Sequence, residues 1–206
     1  MAQEYARLEL LQEVTTEDGG KAHELVIFRP SSKNLFSAIE ATSTSKRIEE
    51  FVKHNVRALN GGAQPLEFRA AELTSADAMD IVSIIGSLAD EAKDVPIGDG
   101  DGITSPLVYT LQHPIKLTPG QEGGEVVEQI QFEARRLGEL SEYLDATGDV
   151  QEFLVFMRLF GKLLGTRLPM SDAIINALDF VDYFVIRRKI MGKLVQPQER
   201  WKKTST

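Results

Sequence analysis

The chain contains no cysteine, which excludes a disulfide framework, a thiolate zinc site and a cysteine nucleophile together. Histidine is almost as scarce: there are three, His23, His54 and His113. None has a second histidine at the i+3 or i+4 spacing of a helical metal site. No Gly-x-Ser-x-Gly elbow is present, and spacing alone assembles no Ser-His-Asp triad. Long apolar runs are missing too. The longest, Phe153–Leu164, carries Arg158 and Lys162 inside it and falls short of the roughly 20 residues of a membrane span. Met1–Arg7 lacks the apolar segment of a secretory signal. These absences lead to the expectation of a cytoplasmic protein that is not an enzyme and holds no cofactor or metal.

What is present is acidic. The 206 residues carry 23 Lys+Arg against 31 Asp+Glu, a net charge of −8. The sum is uneven: residues 1–102 hold 10 basic and 18 acidic side chains, and residues 103–206 hold 13 of each. The end of the chain is locally basic, with Lys193, Arg200, Lys202 and Lys203 against Glu199. An acidic total argues against a dedicated nucleic-acid binder, and the short basic end reads as a solvated tail.

The run Gly98-Asp-Gly-Asp-Gly102 invites a calcium reading. Counted from Asp99, however, position 5 is Ile103 and position 12 is Thr110, where an EF-hand needs an oxygen ligand and a bidentate glutamate. It also lacks the Lys-Ser/Thr of a P-loop. The glycines therefore read as a flexible linker.

The main organisational signal is internal similarity. Laid over one another at an offset of 105, Leu25 falls on Ile130, Ile27 on Phe132, Leu35 on Leu140, Phe51 on Phe156 and Leu59 on Leu164. Ten extra residues around Gly61–Pro65 then shift the alignment, so that Leu73 and Asp77 fall on Leu168 and Asp172. Each copy reads as a β-hairpin followed by about three α-helices, an α+β fold in two tandem repeats. Alternating apolar residues place strands near 6–14 and 22–29, then 107–117 and 125–133. Glu17–Gly20 and Pro119–Gly124 are the turns. Helices are expected over 32–41, from 45 with Ile48, Phe51, Val52, Val56 and Leu59 on one face, and over 75–88 behind a Thr74-x-x-Asp77 capping box. The expected organisation is a first repeat over 1–92, a linker over 93–106, a second repeat over 107–192 and a tail over 193–206.

The two copies differ in one helix. Glu49, Glu50, Lys53, Asn55 and Arg57 have Leu154, Val155, Arg158, Phe160 and Lys162 as counterparts. With Leu159 and Leu163, the second copy thus gains an apolar surface, and its last helix adds Phe180, Tyr183 and Phe184. A helix apolar all round is either buried on every side or covered by a partner. Leu154, Val155, Leu159, Phe160, Leu163, Phe180, Tyr183 and Phe184 are therefore the candidate partner-binding residues, with mutual burial of the two repeats as the competing reading.

The stretch Tyr109-Thr-Leu-Gln-His-Pro-Ile-Lys-Leu117, then Gly-Gly-Glu-Val-Val-Glu-Gln-Ile-Gln-Phe132, resembles the opening of small tail assembly chaperones of Mu-like and P2-like contractile-tailed phages. Arg136-Leu-Gly-Glu-Leu140, Leu163-Leu-Gly-Thr-Arg-Leu-Pro169 and the Ser171-Asp172 helix start leading to Phe180-Val-Asp-Tyr-Phe184 continue the likeness. Family members are often a single unit, whereas this chain carries two. The resemblance implies a non-enzymatic assembly factor in the host cytoplasm, absent from the mature virion. Its partner would be the tape measure protein, with tail tube subunits as a second partner and self-association left open. A structural tail or baseplate adaptor retained in the virion is the alternative.

Overall fold

The computed structural model describes residues 3–61, 65–117 and 125–195. It is a mixed α+β structure with two three-stranded antiparallel sheets. The chain divides into two compact units: residues 1–94 with 172–181, and residues 95–171 with 182–206. These bounds differ from the 107–192 expected for a second repeat, because residues 172–181 cluster with unit 1.

In unit 1, strands β1 (Glu4–Thr15) and β2 (Lys21–Phe28) form the expected hairpin. Helices α1 (Ser32–Glu40) and α2 (Thr44–Asn55) follow. The second helix stops earlier than its apolar period suggests. Val56–Leu59 instead forms a strand, β3, antiparallel to β2, pairing Ile27 with Val56 and Leu25 with Ala58. The alternating burial of Val56 and Ala58 suits a β-branched, half-buried strand. Buried Asn55 marks the switch, donating from Nδ2 to the Phe51 carbonyl (3.0 Å) and accepting from Asn34 Nδ2 (2.9 Å). A 3₁₀ turn (Ala70–Glu72) leads to helix α3 (Ser75–Asp94), longer than its expected 75–88. Its capping box forms: Asp77 N–H donates to Thr74 Oγ1 (3.1 Å) and Thr74 N–H to Asp77 Oδ2 (3.3 Å). Val14, Leu25, Ile27, Phe51, Val52, Val56, Ala58 and Ile81 make the core.

Unit 2 begins with residues 95–106, expected as a linker. They form a strap along the sheet instead, with Val108 N–H donating to the Asp99 carbonyl (3.0 Å) and Ala134 N–H to the Gly102 carbonyl (2.7 Å). Gly98 and Gly100 have φ of +89° and +91°, and a Cβ there would meet the Val108 and Pro106 carbonyl oxygens at 1.7 and 2.0 Å. The glycines serve close backbone approach, not flexibility.

The sheet of unit 2 consists of β4 (Leu107–Lys116), β5 (Val126–Phe132) and β6 (Gly161–Leu163), in the same order as in unit 1. Between β5 and β6 lie a 3₁₀ turn (Leu137–Glu139), helix α4 (Ser141–Asp145) and helix α5 (Asp149–Phe160). The short helix α6 (Asp172–Asn176) belongs to unit 1. The described residues close with α7 (Phe180–Val185), a π turn (Ile186–Ile190) and α8 (Met191–Val195), helical without interruption.

From β2 and β5 onward several elements recur at one spacing, while β1 and β4 stand 101 apart by register, Leu8 opposing Leu25 and Tyr109 opposing Ile130. Helix α2 and helix α5 begin and end 105 residues apart, as do the Ser32–Glu40 and Leu137–Asp145 spans, and α3 and α7 begin 105 apart. Pairing follows suit: Leu25 opposes Ala58 and Ile130 opposes Leu163. At this spacing Asp77 stands against Asp182, whereas the ten-residue shift expected near Gly61–Pro65 sets it against Asp172. Residues 62–64, the Pro119–Gly124 turn and the tail beyond Val195 lie outside the described residues.

Candidate functional site

The eight apolar residues singled out as a partner surface do not share one fate. Val155, Phe160, Leu163, Phe180 and Tyr183 are buried. Phe160 stacks on Phe156 (4.8 Å between ring centroids), Phe156 on Phe132 (5.8 Å), and Tyr183 meets Phe153 edge-on (4.6 Å). These five side chains are buried, which corrects their reading as surface. Leu154, Leu159 and Phe184 remain half-buried. Helix α5 is apolar because two of its faces are covered: one packs on the sheet and another on the final helix.

Surface apolar side chains lie elsewhere. Leu11 and Met79 in unit 1 are 71% and 62% exposed, and Leu144 in unit 2 is 64% exposed.

Unit 1 also carries two adjoining grooves. One, of about 420 Å³, runs between α2 and the segment before α3, with Val52, Val56 and Phe68 at its base and Lys53, Arg57 and Glu67 at its rim. Arg57 and Glu67 pair across it at 3.2 Å. The other, of about 700 Å³, is lined by Thr15, Thr16, Glu17, Phe68, Arg69 and Glu72. Glu72 accepts the Thr15 N–H at 2.7 Å, and that bond holds its carboxyl below the usual range. The rim charges are of both signs and there is no histidine, so the groove offers salt-bridge and apolar contacts without an evident nucleophile.

The three histidines are dispersed. His23, exposed near the start of the central strand β2, faces Glu13 at 2.7 Å, and His54 lies 3.5 Å from Glu50 on α2. His113 uses its backbone N–H to reach Asp182 (3.1 Å). Among the described residues, no group of three or more His, Asp or Glu is arranged to hold a metal. No helix among them is long and apolar enough to cross a membrane.

Two buried carboxylates organise both units; the sequence marked Asp77 as a helix cap only and did not single out Asp182. The ladders of β1 and β4 each slip, between Glu9 and Val14 and between Thr110 and Ile115. Such bulges leave backbone N–H groups facing away from the partner strand. In unit 1, Asp77 Oδ1 accepts the Leu11 N–H (3.1 Å). In unit 2, Asp182 accepts Gln112 N–H (2.8 Å), His113 N–H (3.1 Å) and the Tyr109 hydroxyl (2.6 Å). Both carboxylates are engaged in holding a strand to the start of a helix, a structural task. The signal that could have found them was the ungapped 105 offset, which also sets Thr74 against Asp179; Asp179 Oδ1 accepts the Val181 N–H at 2.8 Å.

Comparison with known proteins returned no matching family model, no matching curated protein and no matching solved structure.

Proposed function

We propose that this chain is a phage tail assembly chaperone built by tandem duplication, which binds the tape measure protein and keeps it soluble while the tail is assembled. The observation that carries the duplication is a 105-residue spacing shared by α2 and α5, by the starts of α3 and α7, by the β2–β3 and β5–β6 pairings and by Asp77 and Asp182, with β1 and β4 standing 101 apart by register. Equal spacing of so many independent features is what copying a unit of sequence produces. The resembling residues of the second copy lie on that skeleton: Tyr109, Ile115, Phe132 and Phe180 are buried, and Asp182 anchors the strand.

A binding role without chemistry fits the surface. Exposed Leu11, Met79 and Leu144, with half-buried Leu154, Leu159 and Phe184, offer dispersed apolar contacts of the kind that cover helical segments. The net charge of −8 keeps such a surface from self-aggregating. Tail tube subunits are a second partner class, and the work is done in the host cytoplasm.

Co-expression tests this reading. The chain should hold a tape measure protein in the soluble fraction, copurify with it, and be missing from purified mature tails by mass spectrometry. Stoichiometric copies in intact tails would replace the chaperone with a structural tail or baseplate adaptor.

A further inference from the structure

In unit 1, α1 has a cover. Ser32, Leu35, Phe36 and Ala38 are buried, and α1 packs against α6. The covering segment, Asp172–Val181, buries Ile174, Ile175, Leu178 and Phe180. It is pinned by Ser32 N–H to the Leu178 carbonyl (2.8 Å), Phe180 N–H to the Pro30 carbonyl (3.1 Å), and a pair between Arg29 and Asp179 at 2.7 Å. The cover is thus a short amphipathic piece: two adjacent isoleucines, a leucine three residues on, and a carboxylate directly after.

Among the described residues, the matching strip of unit 2 at the 105-residue spacing, Leu140–Asp145, has no such cover. Helix α4 holds no buried residue, and Leu144, at the place of half-buried Ile39, is 64% exposed. Leu140 and Tyr143, at the places of buried Leu35 and Ala38, are half-buried. Tyr143 meets Phe160 edge-on at 6.0 Å, which ties the strip to the core of unit 2. Exposed Arg135 and Arg136 sit at the head of the strip, the end where Arg29 holds the carboxylate in unit 1.

We infer that the Leu140–Asp145 strip of unit 2 is a docking site for an amphipathic partner segment with the chemistry of Asp172–Val181: aliphatic, aliphatic, two intervening residues, leucine, then an acid. The partner's aliphatics cover Leu140, Tyr143 and Leu144, and its acid meets Arg135 or Arg136. This rests on the proposed chaperone function for the partner's identity, and on the related face of unit 1 for its chemistry.

The test uses the full chain and a labelled synthetic peptide of residues 171–182. Fluorescence anisotropy should show binding that weakens at least about tenfold in Leu144→Glu and in Arg136→Glu, since one desolvated leucine or charge contact is enough for that factor. Leu168→Glu, at another exposed apolar position outside the strip, should bind as the parent does. A peptide with Ile174, Ile175 and Leu178 replaced by Ala should not bind. Undiminished binding by Leu144→Glu overturns the site. So does parental self-association that Leu144→Glu abolishes, because the strip would then be occupied by a second copy. A tape measure co-expression assay separates the two claims. If Leu144→Glu still solubilises that protein as the parent does, the strip is not its contact and the chaperone reading stands. If the parent fails to solubilise it while peptide binding depends on Leu144, the strip stands and the chaperone reading falls.

Discussion

Asp182 shows how much one side chain can carry. It is fully buried and accepts hydrogen bonds from two bulge amides and a phenol. Replacing it with alanine strands three donors away from water, and a buried unsatisfied donor costs about 1–3 kcal/mol. Asp182→Ala should therefore lose roughly 3 kcal/mol or more in urea unfolding. Asp77→Ala strands one bulge amide and breaks a cap worth about 1 kcal/mol, so its loss should be nearer 2 kcal/mol. A loss in Asp182→Ala no larger than that of an exposed control would refute the anchoring role. Asp101 is the surface counterpart. The Thr104 hydroxyl first, then backbone N–H groups of Ser105 and Ile103, hold its carboxyl far below the ordinary aspartate range. The sign follows from linkage: a depressed folded pKa contributes stability above the unfolded value of about 3.9, lost only as pH falls through the folded one. In an NMR titration, the Asp101 carboxyl should remain ionised at pH 3 while ordinary aspartates protonate.

At the scale of elements, the strap before β4 depends on backbone geometry. Gly98 stands at φ +89° with the Val108 carbonyl oxygen where a Cβ would be. Gly98→Ala must therefore either rotate out of the left-handed region or push the strap off β4, breaking the Val108–Asp99 hydrogen bond. Strain of this kind costs about 1–3 kcal/mol. The expected outcome is faster amide exchange at Val108, with exchange at Leu25 in unit 1 unchanged. Gly86→Ala serves as the control, because its added Cβ meets nothing within 4 Å and glycine is a poor helix former. That substitution should be neutral or stabilising. Equal effects from the two changes would show that the strap geometry is unimportant.

At the scale of the whole molecule, the order of the chain and the order of its units differ. Residues 172–181 belong to unit 1 although unit 2 lies on both sides of them in sequence. A chain ending at Ser171 should therefore disturb unit 1, far away in sequence. Ser32 donates to the Leu178 carbonyl from its N–H and to the Ile175 carbonyl from its hydroxyl (2.6 Å), and both acceptors would be gone. Hydrogen exchange at Ser32 and along α1 should accelerate by an order of magnitude or more, since a lost net hydrogen bond of about 1 kcal/mol adds to exposed apolar surface. Unchanged protection of α1 would mean that the segment contributes nothing to unit 1.

Local pattern alone specified much of this protein. Alternating apolar residues located both hairpins to within two residues, and the Thr74-x-x-Asp77 box located the start of α3. Each of these depends on neighbours along the chain, where period and capping chemistry are written directly. Tertiary structure decided the rest. Val56 continues a helical period and also begins a good strand; pairing with β2 chose the strand, because a sheet partner outside the local window satisfies its backbone. Phe160, Leu163 and Tyr183 look alike whether they face a partner or a core, and packing against the sheet and the final helix put them inside. The exposure of Leu144 has the same origin. Ile39, 105 residues earlier, is half-buried on α1, which packs against a segment more than 130 residues away, a relation that no local window contains.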